Sequence, residues 1–418
     1  MSANSIRSIF AVPLLLFVVW ALFSEDRKKI PWRTISWGVL LQIIFAATIL
    51  VFPPGVKALK WFGDRVSDFL SLSKYGSEFL FGNIVKPEYM NTFGFQFGLL
   101  VLPTVIFFSS FMAVCYHLKL MQPVVEFVAR IMAKTMHTSG AESLSCAANI
   151  FVGQTEAPLL IRPYLQQATR SELGAIMCGG YATIAGGVMA GYIAMGIPAN
   201  HIIAASVMSA PAALMFAKIA IPEIEKPVTY GKVKVPRENF YTNLLDAASS
   251  GASDGMKLAL NIAAMLIAFI ALIEGINVLL HWASGQIWYY TDFTHFPDSL
   301  RDIFGTVFAP FAWMLGIPWD EAGKVGYLLG TQVSANEFIA YAKLAEMQAA
   351  HTLSPRSVAL ATYALCGFSN FSSVAIQIGG ISALVPEKRS QLAAIGLRMM
   401  FCGVLANWIT AAFASMFM

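Results

Sequence analysis

Apolar runs long enough to cross a bilayer recur along the chain, at roughly 9–24, 35–53, 95–116, 172–196, 200–221, 255–280, 356–382 and 391–417. Crossing about 30 Å of hydrocarbon takes about 20 helical residues, so these runs make about eight spanning helices. Hydrocarbon offers no partner to a backbone N–H or C=O, which leaves only helices and closed barrels as spanning structures. The runs are too continuous for the weak alternating pattern of barrel strands. Composition agrees: 57% of the 418 residues are hydrophobic and 12% charged, against about 25% charged in a soluble domain. The expected fold is an all-α polytopic membrane protein.

The distribution of charge orients it. The segments "EDRKKIPWR" after the first run, "EIEKPVTYGKVKVPRENF" after the fifth and "PEKRS" before the last are rich in Lys and Arg, which places them in the cytoplasm. The links "IPANH" and "HWASGQIWYYTDFTHFPDSL" carry neither residue and face outward. An even number of spans then puts both termini outside. Residues 57 to 88 read as an amphipathic helix on the membrane surface. The first run reads as a retained span rather than a signal peptide, because Arg7 is the only basic residue before it and the basic cluster follows it. Cys115, Cys146, Cys178, Cys366 and Cys402 have no CxxC spacing, which points to small core residues rather than a disulfide framework or zinc site. Trp32, Trp61, Trp282, Trp288 and Trp319 read as interfacial anchors.

Two segments resist assignment as spans. Residues 138–165, "TSGAESLSCAANIFVGQTEAPLLIRPYL", and 321–352 are moderately apolar but interrupted by polar groups. Each suits two half-length helices joined by a tip, a re-entrant hairpin tolerated at membrane depth only where protein or a water-filled cavity surrounds it. After each hairpin comes an interrupted apolar run beginning Cys-Gly, carrying Gly-Gly and ending at proline, "CGGYATIAGGVMAGYIAMGIP" and "CGFSNFSSVAIQIGGISALVP". One more span follows each. The expected organisation is N-terminal spans, surface helix and scaffold span in 1–137, a first repeat in 138–221, a cytoplasmic loop, scaffold span and outer surface segment in 222–320, and a second repeat of opposite orientation in 321–418. Inverted repeats with broken helices meeting near the midplane are the architecture of secondary transporters.

The hairpin tips hold the chemistry. Glu156 and Glu337 are acids within apolar segments, where a functional role is the first expectation. Gln154, Asn336 and Asn370 both donate and accept, while Thr155, Ser372 and Ser373 add hydroxyls. Neither tip and neither break carries Arg or Lys. Such a site suits a neutral, hydroxyl-rich solute, and Phe368 offers a ring face to an aromatic one. A sugar joined to a heteroaromatic base uses all of these features. No Walker A or Rossmann pattern is present, so uphill movement needs an ion gradient. A monovalent cation wants oxygen ligands, and unwound carbonyls beside Asn149 with the Thr183 hydroxyl are the available supply. One cation gains about 2.3 kcal/mol across ~100 mV and about 1.4 kcal/mol from a tenfold gradient, enough for scavenging.

The segments "GQTEAP" (153–158), "ANEF" (335–338) and "CGFSNFSS" (366–373), with "LALNIAAMLIAF" (258–269), closely resemble the signature segments of the concentrative nucleoside transporters in their bacterial, sodium-coupled form. The resemblance runs over nearly the whole chain. It implies a homotrimer in the inner membrane, with eight spans, two oppositely directed re-entrant hairpins and an elevator-like movement of a transport domain against a scaffold. It further implies that Gln154, Thr155 and Glu156 meet the nucleobase, with apolar contacts from Val188, Leu258 and Phe368. By the same resemblance Glu337, Asn370 and Ser373 hold the ribose, and Asn149, Val152, Thr183 and Ile184 hold sodium, largely through main-chain oxygens. No cofactor is implied beyond sodium as the coupling ion. Thr183 stands where bacterial relatives have Ser, which keeps the hydroxyl and adds a methyl. The intact "GQTEAP" wording favours sodium over proton coupling. The alternatives are a proton-coupled symporter, a symporter for another neutral solute such as a free base or sugar, and a passive channel. An intramembrane enzyme is disfavoured, since no Ser-His or Asp-Asp arrangement is evident.

Overall fold

A computed structural model describes residues 3–89, 92, 94, 96–231, 234, 241–291 and 296–418, without the side chains of residues 3, 4, 87, 288 and 291. The side chain of Trp288, expected as an interfacial anchor, and parts of the segments 223–240 and 281–300 therefore lie outside what is described. Within the described residues all regular structure is helical.

The N-terminal third holds α1 (Ala3–Val18), α2 (Trp32–Ala46), α3 (Pro53–Ser71), α4 (Ser73–Phe81), α5 (Leu102–His117) and α6 (Met121–Met136). Next come α7 (Gly140–Ala148), α8 (Glu156–Leu160), a short turn of helix at Arg162–Leu165, α9 (Arg170–Ala182), α10 (Gly186–Ala194) and α11 (Ala199–Ala220). Then follow α12 (Leu244–Thr291) and α13 (Leu300–Met314). The chain ends in α14 (Trp319–Ser334), α15 (Glu337–Ala349), α16 (Pro355–Ala364), α17 (Phe371–Leu384) and α18 (Arg389–Phe417). The order short pair, broken pair, long helix thus occurs twice, in α7–α11 and α14–α18.

Local chemistry explains where these elements start. Ser139 and Thr169 cap α7 and α9 in reciprocal boxes with Glu142 and Glu172, while Asn336, Ser354 and Asn370 cap α15, α16 and α17. Each cap supplies an acceptor to a first-turn N–H that has no partner within its helix. The long helices meet through small residues: α1, α9, α11 and α16 pack on α18, and α2 packs on α11, while Ala205, Ala212, Ala213, Ala406 and Ala411 are wholly buried. Small side chains let helix backbones approach where lipid gives no hydrophobic push.

Burial separates two populations of helix. The apolar stretch of α11 is 89% buried, that of α9–α10 83% and that of α18 72%, against 28% for α1 and α2, 22% for α5 and 6% for α12. Leu260, Ile267, Leu272, Val278 and Leu279 of α12 are all exposed. Such a surface is compatible with lipid or with another membrane-embedded chain.

Two features depart from the expected spans. The run 255–280 is the middle of α12, whose 48 residues make a helix about 70 Å long, more than twice the hydrocarbon thickness. A helix of that length has to tilt strongly or project. The run 356–382 is divided between α16 and α17 by residues 365–370; among the described residues seven stretches, with α9–α10 taken as one, are long and apolar enough to span, or eight if the bent pair α13–α14 is one span. Helices α13 and α14 form a bent pair at 115°. All five cysteines are free and buried. Trp32, Trp61, Trp282 and Trp319 are exposed, as interfacial anchors must be.

A buried charged cluster joins the starts of α7 and α9 to the end of α11. Lys218 Nζ lies 2.7 Å from Glu142 and 3.3 Å from Glu223, and it donates to Ser171 Oγ at 2.9 Å. Ser139 Oγ donates to Glu172, and Gly140 N to the Thr229 carbonyl. In the loop after α1, Glu25 accepts from Arg170 and Arg398. The Arg170 hydrogen bond is the main reason its carboxyl lies below the usual range.

Candidate functional site

The first tip, residues 149–155, is tied to the α9–α10 break, since Gly186 N donates to the Phe151 carbonyl at 3.0 Å. The second break is tied to the first: Phe368 N donates to the Thr183 carbonyl (3.2 Å) and Ser369 Oγ to the Tyr181 carbonyl (2.8 Å). Gly367 allows this approach, because a Cβ there would stand 2.4 Å from the Tyr181 carbonyl oxygen. Gln332, near the end of α14, donates to the Leu365 and Gly367 carbonyls at 3.1 and 3.0 Å. The unwound carbonyls of the second break thus find a side-chain partner, as buried backbone must.

Around this junction is a cavity of about 740 Å³. Gln154, Thr155, Glu156, Val188, Leu258, Glu337, Phe368, Asn370 and Ser373 all line it, so the structure brings together every residue expected at the substrate. Helices α10, α15 and α17 each begin at its wall, with Gly186, Glu337 and Phe371 as first residues. The N-terminal end of a helix carries partial positive charge, which favours oxygen-rich groups at this point. Glu337 is buried. Its Oε2 accepts from Asn370 Nδ2 (2.8 Å) and its Oε1 from the Tyr192 hydroxyl (3.2 Å). Asn370 Oδ1 in turn accepts from Ser373 N (2.9 Å) and Ser372 Oγ (2.7 Å). Glu156, by contrast, is exposed to the cavity. The far wall comes from α5 and α12 through Phe108, Ser109, Leu258 and Asn261. Lys257 also lines the cavity, paired with Asp254 at 3.1 Å; this is a cation that the tips and breaks lack.

Of the residues expected at sodium, only Val152 lines the cavity. Asn149, Thr183 and Ile184 are wholly buried where tip and break join. Thr183 Oγ1 donates to the Gly179 carbonyl at 2.7 Å, which leaves its lone pairs open. Neither Oδ1 nor Nδ2 of Asn149 has a hydrogen-bond partner. A buried amide without partners is costly, and an oxygen-seeking cation beside Oδ1 would remove part of that cost. Among the described residues no group of three His, Cys, Asp or Glu side chains is arranged for a metal, so neutral oxygens are what this join offers an ion.

Three polar residues of the site escaped the sequence reading. Tyr192 holds Glu337, Gln377 holds Gln154 and Gln332 caps the second break. Gln377 carried a usable signal, since it lies four residues after Ser373 and shares its helix face. Tyr192 carried none, because its partner is 145 residues away.

Comparisons with known proteins bear on the family and the fold. Residues 201–415 match the model of the Na+ dependent nucleoside transporter C-terminus, residues 10–84 that of the Na+ dependent nucleoside transporter N-terminus, and residues 99–199 one described as nucleoside recognition. An uncharacterized transporter of Haemophilus influenzae is 43% identical, over 99% of this chain and 98% of its own length. Sodium/nucleoside cotransporter 1 of Mus musculus is 39% identical over 97% of this chain, which spans 63% of the mouse protein. The solved structure of CNTnw in an inward-facing substrate-bound state superposes with a TM-score of 0.91 at 40% identity, covering 99% of this chain and 98% of that one. A variant of CNTnw in an outward-facing state gives a TM-score of 0.93 at 40% identity, with 99% and 98% covered.

Proposed function

Because the chain belongs to the Na+ dependent nucleoside transporter family, whose members are multi-pass transporters and not enzymes, we propose that it is a symporter importing nucleosides with sodium. The observation that carries this reading is that all nine residues expected at the substrate line one cavity, at the starts of three helices. In it Gln154, Thr155 and Glu156 meet the base, Phe368, Val188 and Leu258 pack on it, and Glu337, Asn370 and Ser373 hold the ribose. The ribose hydroxyls donate to Glu337, whose second role is to order Asn370. Sodium sits at the join of tip and break, held by Asn149, Val152, Thr183 and Ile184, so that binding the ion orders the tip that carries Gln154 to Glu156. That shared element is the physical basis of coupling.

The repeats 138–221 and 321–418 form the moving body, entering the membrane as oppositely directed hairpins, and α5 and α12 belong to the scaffold against which it slides as an elevator. The family's inward- and outward-facing structures support alternating access. The family resemblance is the ground for a homotrimer, in which neighbouring copies would cover the exposed apolar face of α12. The charge pattern supports placement in the bacterial inner membrane with both termini in the periplasm.

Uptake of labelled uridine into proteoliposomes, with sodium, proton and voltage gradients imposed separately, tests the reading. Uptake is expected to collapse when choline replaces sodium and to persist when only the proton gradient is removed. Sodium-independent uptake, or strong inhibition by ribose or uracil alone, would contradict it. Asn149→Ala is expected to raise the sodium concentration for half-maximal uptake roughly tenfold, the loss of about one oxygen ligand. An unaltered sodium curve would remove Asn149 from the ion site.

A further inference from the structure

Gln377 is wholly buried in α17, one turn beyond Ser373. Both side chains reach Gln154 in the first tip. Gln377 Nε2 donates to Gln154 Oε1 (3.0 Å) and to the Met177 carbonyl of α9 (3.1 Å). A main-chain carbonyl only accepts, so Met177 fixes which end of the Gln377 amide points this way. The other N–H of the same nitrogen then makes Gln154 Oε1 an acceptor. That leaves Gln154 Nε2 to donate, and it does so to Ser373 Oγ at 3.2 Å. The chain of bonds runs in one direction, from a backbone atom that cannot be reversed to an amide that lines the cavity.

Gly180 gives an independent sign. A Cβ there would stand 2.5 Å from Gln377 Nε2 and 3.0 Å from Gln154 Cβ. Met177 and Gly180 are three residues apart and share a helix face, so one turn of α9 supplies both the anchor and the gap in which the two amides meet.

We propose that Gln377 is a positioning residue for base selection, orienting the Gln154 amide so that a nucleobase meets its remaining N–H. The inference rests on the reading of Gln154 as a base contact. With Oε1 held by Gln377 and one N–H engaged by Ser373, Gln154 presents a donor to the cavity. The base edge that fits against it carries an acceptor, either a ring carbonyl oxygen or an unprotonated ring nitrogen. An exocyclic amino group in that place would set donor against donor.

The test measures KM and Vmax in proteoliposomes for a panel of ribonucleosides and one 2′-deoxyribonucleoside. Gln377→Met keeps the volume and removes the amide, so the Gln154 amide turns freely. KM ratios between bases are expected to change by about threefold to tenfold, as one misplaced hydrogen bond would, while the ribose-to-deoxyribose ratio holds. Gln377→Glu removes the donors and draws the Gln154 NH2 toward itself, and preference is expected to move toward bases offering an amino group. A fall in Vmax with all KM ratios kept in both variants overturns the proposal, since a purely structural amide would do no more. A nucleoside-bound structure of the wild-type chain needs no variant: a base acceptor against Gln154 Nε2 supports the proposal, and an amino group there overturns it. Gln154→Ala separates the two readings. If it leaves base ratios unchanged, the base contact itself is wrong and both readings fall; if it changes them while both Gln377 variants do not, only the positioning role falls.

Discussion

Glu337→Gln is expected to weaken uridine binding about ten- to a hundredfold at saturating sodium, measured by calorimetric titration of the purified protein. The reason is the inventory around the carboxylate. Its two oxygens already accept from Asn370 Nδ2 and the Tyr192 hydroxyl, and their remaining lone pairs face a cavity whose guest would donate hydroxyls. Glutamine keeps the shape but turns one acceptor into an NH2 group. Placed toward Asn370, the NH2 group meets another donor; placed toward Tyr192, whose hydroxyl can accept from it, it still removes one of the two oxygens open to the ribose hydroxyls. A charge-assisted hydrogen bond is worth about 1.5 to 3 kcal/mol, and about 1.4 kcal/mol is a factor of ten. Binding within twofold of the wild type would remove Glu337 from the ribose site.

Lys218→Met is expected to destabilise the fold by about 3 to 5 kcal/mol, the effect of removing one partner from a buried ion pair. Lys218 is 4% exposed and Glu142 1%, with 2.7 Å between their charged atoms. Glu142 also caps α7, so an unbalanced charge there loosens the helix that leads into the first tip. The measurement is the thermal midpoint in detergent. Pairing Lys218→Met with Glu142→Gln should recover much of the loss, because the uncompensated carboxylate is then gone. A Lys218→Met protein melting with the wild type would show the cluster to be solvated.

Much of the candidate site was legible because its polar residues interrupt apolar surroundings. Glu156 and Glu337 begin α8 and α15, and a charge inside an apolar run marks itself. The breaks were legible for a related reason, since "CGFSNFSS" replaces bulky apolar residues with capping ones, and Asn370 does cap α17. The length of α12 was not legible, because the helix continues beyond its apolar core into polar sequence at both ends, where hydropathy carries no signal. Lys218 was equally hidden. One lysine near the end of an apolar run looks like an interfacial residue until Glu142, Glu223 and Ser171 are found around it.

Most helices, their interruptions and the polar character of the tips can be read from the residues in order. A segment in hydrocarbon has to satisfy its own backbone, so length, hydropathy and caps decide local structure without help from the rest of the chain. Which polar atoms face one another depends on how the helices pack. Glu337 with Tyr192 and Gln154 with Gln377 are pairs made across 145 and 223 residues. Close packing of small residues between helices selects such partners, and side-chain fit at long separation leaves no periodicity along the chain.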